Sequence, residues 1–338
     1  WIDNNSNALG GGLSIFAGDS DIVAYNLMLI DNTGGTGGGI FCNGNGGANS
    51  VIILGSENNG FGIVSNEATD GGGVYLNDGC VFTSYVGTSG GIDFRGINGN
   101  SATNDGGGIY ATSGSIVNLV GVQQCAFIIC FGYDSEPASV VGNDAINFGG
   151  GVYATGAGTI INVFNGSIKN NEGRFGAGVY VEDEAFFYAN TTFKQGVDCW
   201  SVGSCSQIKG NNASVRGGAV YIANGGHVEL FRTHVLDNRA GFGTALYAVD
   251  ADSSFSSEGN LFAGNGDNGA DGYDDNNVFR ARDGAAVDIR FTTIADNNIP
   301  TANEIIGNDT AITNIKSSII HEPNAVAVIE RVSPTGYD

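Results

Sequence analysis

Apolar residues in this chain fall in short alternating runs, each closed by Gly or Asn. Val152-Tyr-Ala-Thr155 and Val220-Tyr-Ile-Ala223 are examples, and alternation of this kind between turn residues predicts strands. No segment carries a sustained 3.6-residue period with helix caps, so almost no α-helix is expected.

The runs return in a fixed order marked by two motifs. The first is an apolar residue, two variable residues and Asn, ending at Asn32, Asn66, Asn100, Asn143, Asn171, Asn211, Asn238, Asn265 and Asn297. The second is a Gly-rich turn, an aliphatic residue and an aromatic, with the aliphatic residue eight or nine positions after Asn32 and its early successors. It reads Gly-Gly-Gly-Ile40-Phe41, then the same turn before Val74-Tyr75, Ile109-Tyr110 and Val152-Tyr153. Decayed copies precede Val179-Tyr180, Val220-Tyr221 and Leu246-Tyr247, and an early copy precedes Leu13-Ser14. The shortest interval between motif asparagines is 27 residues, from Asn211 to Asn238, and a period of this size belongs to a solenoid.

Strand-and-turn grammar at that period predicts an all-β, right-handed, single-stranded parallel β-helix of about ten coils, forming one solenoid over residues 1–338. Insertions are expected near 119–139, 194–207 and 266–283. Stacked coils place equivalent residues in columns about 4.8 Å apart. A side-chain amide both donates and accepts, so a column of Asn can satisfy itself; Asn also tolerates the left-handed backbone of sharp turns. The aliphatic residues of the second motif, and those two further on, should point inward. The aromatics between them, Phe41, Tyr75, Tyr110, Tyr153, Tyr180, Tyr221 and Tyr247, should line the outer side of the sheet. Such a column stabilises a parallel sheet, and as an exposed row it would be the candidate binding platform.

Charge narrows the partners. With 35 acidic residues against 13 Lys plus Arg, the net charge of −22 excludes nucleic acid as a partner, and no segment is suited to membrane insertion. The six cysteines contain no CxxC: Cys125 and Cys130 are neighbours, as are Cys199 and Cys205, and Cys42 and Cys80 fall in adjacent repeats. Such pairs suit disulfides and an oxidising compartment rather than zinc. The chain opens within a repeat-like stretch, as expected of a mature or excised part of a larger secreted protein.

The two motifs together resemble the repeats of chlamydial polymorphic outer-membrane proteins and related Gly-rich β-helix proteins of Gram-negative bacteria, over roughly residues 5–300. The sequence carries Ile, Val or Leu where that family prefers Phe before the Asn. The resemblance implies an autotransporter-like passenger, secreted or displayed on the outer surface of a bacterium, with a structural or adhesive role. Its partner would be a glycan, a protein receptor or another copy in a filament, and no cofactor would be required.

The same solenoid also carries polysaccharide lyases and hydrolases, the alternative reading. Lyase chemistry on acidic sugars needs a base and cations, and the densest polar stretch is His227, Glu229, Arg232, His234 and Asp237. An ordinary solvated face reads the same way. For Ca²⁺, the insertion holding Asp267, Asp271, Asp274 and Asp275 offers hard oxygen ligands in a Gly/Asn-rich loop, though without the spacing of an EF-hand.

Overall fold

The computed structural model describes residues 2–16, 21–45, 50–55, 61–86, 96–126, 129–134, 139–191, 206–267, 276–300, 303–323 and 325–332. Among these every regular element is a strand. A single coil shows the plan: Met28–Ile30 in a first sheet, Thr33–Thr36 in a second, Ile40–Asn43 in a third and Ser50–Gly55 in a fourth. The chain then rejoins the first sheet at Gly62–Val64, directly against Met28–Ile30. The first and third sheets contain eleven strands and the second eight; the fourth stacks ten parallel strands and one antiparallel hairpin strand. The described residues form a parallel β-helix of eleven coils, numbered here from the amino-terminal end. Parallel crossovers are right-handed in nearly all cases, which gives the helix its hand.

Register confirms the repeat. Ile40, Val74, Ile109, Val152, Val179, Val220 and Leu246 stack as direct partners through the third sheet. They and the residues two positions on, from Cys42 to Ala248, point into one continuous core. The Gly turn explains which copies decay and how far. Its first Gly has positive φ in every copy, from Gly37 (68°) through Gly176 (59°) to Gly243 (63°). The later positions admit Ala or Thr, as at Ala177, Thr244 and Ala245. Only the first position has the left-handed backbone that disfavours a side chain in every copy.

The Asn turn differs in one respect from expectation. The left-handed residue is the one before each ladder Asn, as at Asp31 (53°), Ser65 (53°), Gly99 (62°) and Asp237 (55°). That residue turns the chain from the first sheet to the second, which leaves the Asn side chain free to enter the stack. Each Oδ1 accepts two hydrogen bonds from the Asn one coil earlier: Asn66 Oδ1 takes the backbone N–H and the Nδ2–H of Asn32, both at 3.0 Å. The second Nδ2 hydrogen goes to a backbone carbonyl of the preceding coil, Leu29 for Asn66 at 3.0 Å. The pattern runs without a break from Asn32 to Asn297, all nine members buried. Every polar atom of the amide is thereby satisfied, as burial requires.

Cys42 and Cys80 form a disulfide between coils two and three, with Cα atoms 6.1 Å apart. In the first insertion the strand Ile116–Ala126 runs past the corner and turns back through Ile129–Asp134, which sets the backbones of Cys125 and Cys130 opposite each other. Cys199 and Cys205 lie outside the described residues.

Candidate functional site

The aromatic column lies on the outer side of the third sheet as expected, yet it is not an open platform. Phe41, Tyr153, Tyr180, Tyr221 and Tyr247 are buried, Tyr247 to 2% exposure, and Tyr75 and Tyr110 are half-buried. Neighbouring ring centroids are 4.7–5.6 Å apart at every step from Phe41 to Tyr247. Stacking at one ring per coil hides the faces, and side chains from the corners cover the edges. Phe148 sits 4.7 Å from Tyr180, Phe175 packs edge-on to Tyr221, and the Arg216 guanidinium lies 5.0 Å over Tyr247.

The column has charged flanks of opposite sign. On its early half, Glu182 accepts hydrogen bonds from the hydroxyls of Tyr153 and Tyr180, the latter at 3.3 Å. Asp105, buried at the corner, takes the Phe148 N–H at 3.2 Å and an Asn104 Nδ2–H at 3.0 Å. Asn104 also bonds Asp70 at 2.8 Å. Burial pushes the Asp105 carboxyl up to about 6, with Asp70 and Glu182 adding to the rise against the Phe148 bond. On the late half, Arg282 donates to the Tyr247 hydroxyl at 3.4 Å, and burial, opposed by Arg216, takes the Tyr221 hydroxyl up to about 12.

The outer side of the fourth sheet is built differently. In coils four to six its outward residues stand in three columns. Ile116, Ile160 and Phe186 form one; Asn118, Asn162 and Tyr188 the middle; Val120, Phe164 and Asn190 the last. All nine are half-buried and none is charged. The amides join into a short ladder, with Asn162 Nδ2 donating to Asn118 Oδ1 at 3.0 Å and Asn118 Nδ2 to Thr83 Oγ1 at 3.1 Å. Charge stands at Asp21 in coil one and returns in coils seven to ten, with Glu229, Glu258, Asp288, Arg290 and Lys316. The number of residues between a strand of the fourth sheet and the next strand of the first sheet differs from coil to coil. Coil five turns to the first sheet through Asn165–Gly166 alone, whereas coils two, three and six use 56–61, 87–95 and 191–205, and coil four its hairpin.

The polar stretch of the late coils is divided between sheets. His227 and Glu229 lie on the fourth sheet, His234 on the first, and Arg232 and Asp237 at the turns on either side of the second strand. His227 Nδ1 bonds Ser254 at 2.8 Å, Asp237 pairs with Lys209 at 3.2 Å, and Arg232 lies over the Phe231 ring. Burial lowers the His234 pKa. Of the proposed calcium ligands, Asp267 pairs with Arg239 at 3.1 Å, and Asp271, Asp274 and Asp275 lie outside the described residues. Among the described residues no group of three or more His, Cys, Asp or Glu side chains could hold a metal ion.

Two ladder members escaped the motif reading. Asn5 bonds Asn32 Oδ1 at 3.0 Å, and its Ile2-Asp-Asn-Asn5 context carries the motif in full. Glu322 takes over the acceptor role in coil eleven, receiving the Asn297 N–H at 3.0 Å and its Nδ2–H at 2.5 Å; as a carboxylate it has no motif signal. Neither the uncharged face nor Asp105 stood out in the linear sequence. The face becomes visible only when strands from separate coils are aligned. No family model matches the chain, and neither does any curated protein or solved structure.

Proposed function

We propose that this chain is a non-catalytic β-helix rod that works outside the cell, on the outer surface of a bacterium or released from it, and holds a neutral glycan on the outer face of its fourth sheet. The uncharged face of coils four to six carries this reading: a molecule of net charge −22 leaves nine neighbouring outward positions without a charge. Its apolar columns suit the C–H faces of sugar rings, and the amide column between them suits hydroxyls. The spacing of about 4.8 Å between coils presents those groups at a regular interval to an extended chain. A dry protein partner fits less well, because it would bury the amides against groups that cannot pair with them. The disulfide between Cys42 and Cys80 supports an oxidising compartment.

The test is retention of the purified chain on neutral and on acidic polysaccharides, with and without chelator, and an assay for new sugar ends. Retention on a neutral polymer without new ends, unchanged by chelator, is expected. Shortened or unsaturated products would overturn the non-catalytic reading in favour of a polysaccharide lyase or hydrolase, and retention on acidic polymers alone would overturn the choice of ligand.

A further inference from the structure

The tyrosine column answers to chemistry that a binding platform does not need. Six tyrosines from Tyr75 to Tyr247 follow one another in ring contact, with centroid steps of 4.7–5.4 Å. Rings in contact exchange an electron readily. A phenol loses an electron more easily when a positioned base takes its proton in the same step. Glu182 is such a base, since it accepts the hydroxyls of both Tyr153 and Tyr180. The charged flanks give the column a direction. Asp105 and Glu182 favour an electron vacancy on the rings beside them, whereas the Arg216 guanidinium over Tyr247 opposes one there. Burial of Tyr153 and Tyr180 keeps water and solutes from the ring that holds the vacancy.

We propose that the column is a one-electron relay ending in a radical trap at Tyr153 and Tyr180. An outer-sphere one-electron oxidant removes an electron at a half-buried ring, Tyr75 or Tyr110, and the vacancy passes from ring to ring. At Tyr153 or Tyr180 the O–H bond breaks: its electron fills the vacancy and so accounts for the one taken by the oxidant. The proton moves to the Glu182 carboxylate. The products are the reduced oxidant, a neutral tyrosyl radical and a protonated Glu182, with charge and atoms balanced. In an extracellular rod this would confine oxidising equivalents to one enclosed position instead of the surface.

The experiment uses the whole chain and photogenerated ruthenium(III) tris-bipyridine as the oxidant. It follows the tyrosyl absorption and electron paramagnetic resonance signals, and locates the radical by spin trapping and peptide mass spectrometry. The wild type should place the radical on Tyr153 and Tyr180 and leave Tyr25, 70% exposed and away from the column, largely unmodified. Glu182→Gln should slow radical formation at least about tenfold, and Glu182→Asp should restore part of the rate. The double variant Tyr153→Phe/Tyr180→Phe keeps the rings and Glu182, so it reads the trap even where a Glu182 variant folds poorly; it should move the radical elsewhere. A radical found mainly on Tyr25 in the wild type, or a yield and location indifferent to the double variant, would overturn the proposal in favour of simple surface oxidation.

Discussion

The outer sides of the third and fourth sheets obey the same alternation and end in opposite states. On the third, one aromatic per coil stacks on the next, and Phe148, Phe175 and Arg216 close over the rings until Tyr180 keeps 5% of its surface. On the fourth, the outward residues of coils four to six stand in three columns, and all remain partly open. Alternation therefore decides which side of a sheet a residue takes, and the size of the corner residues decides whether that side meets solvent. A column one ring wide is covered from its two edges; a face three residues wide is not.

The scale for testing this contrast is set by the asparagine turn, which belongs to neither face. Asn143→Ala would leave the backbone and side-chain donors of Asn100 without their acceptor. Each buried donor left unpaired costs about 1–3 kcal/mol, so a loss of about 4 kcal/mol is expected in denaturant unfolding, with faster hydrogen exchange at Asn100. An unchanged midpoint would mean that the ladder bonds do not hold the coils together.

Next in size is the contrast itself. Tyr180→Ala removes a buried ring and should cost about 3 kcal/mol, whereas Ile160→Thr on the open face should cost less than about 1 kcal/mol. Equal losses measured by the same unfolding titration would mean that the two faces are equally closed.

A smaller effect separates them by pH. Burial lifts Asp105 in the folded chain to about 6, against about 4 when unfolded. The contribution of this group is therefore whole below about pH 4 and is lost as pH rises through about 6, at a cost on the order of 2–3 kcal/mol. Asp105→Asn keeps the shape and should remove that part of the slope when unfolding midpoints are compared between pH 4 and pH 7. An identical slope in variant and wild type would show that Asp105 is ionised without penalty beneath the Phe148 corner.

Much of this was legible in the linear sequence because the repeat writes the stack directly. The core positions from Ile40 to Leu246, the nine-member Asn ladder and the Cys42–Cys80 link all follow from motif phase. Exposure did not follow, since Phe148 and Phe175 reach the tyrosines from the end of the second sheet, Phe175 as the last residue of the strand Glu172–Phe175 and Phe148 bridged to it from the coil before, at positions that no motif marks. His227 and His234 looked adjacent because they are seven residues apart, but a corner at Arg232 sends them to different sheets. The end of the ladder was hidden for a chemical reason: Glu322 supplies the same acceptors as an amide oxygen with a different residue type.

The most direct test measures affinity for a neutral polysaccharide in two double variants, one on each face. Asn118→Asp/Asn162→Asp puts charge on the open face without changing its shape, and Tyr110→Phe/Tyr153→Phe keeps the stacked rings. A loss of at least about tenfold, or about 1.4 kcal/mol, is predicted for the first and no change for the second. Full binding by the asparagine variant together with loss in the tyrosine variant would contradict the account and return the aromatic column to the role of binding platform.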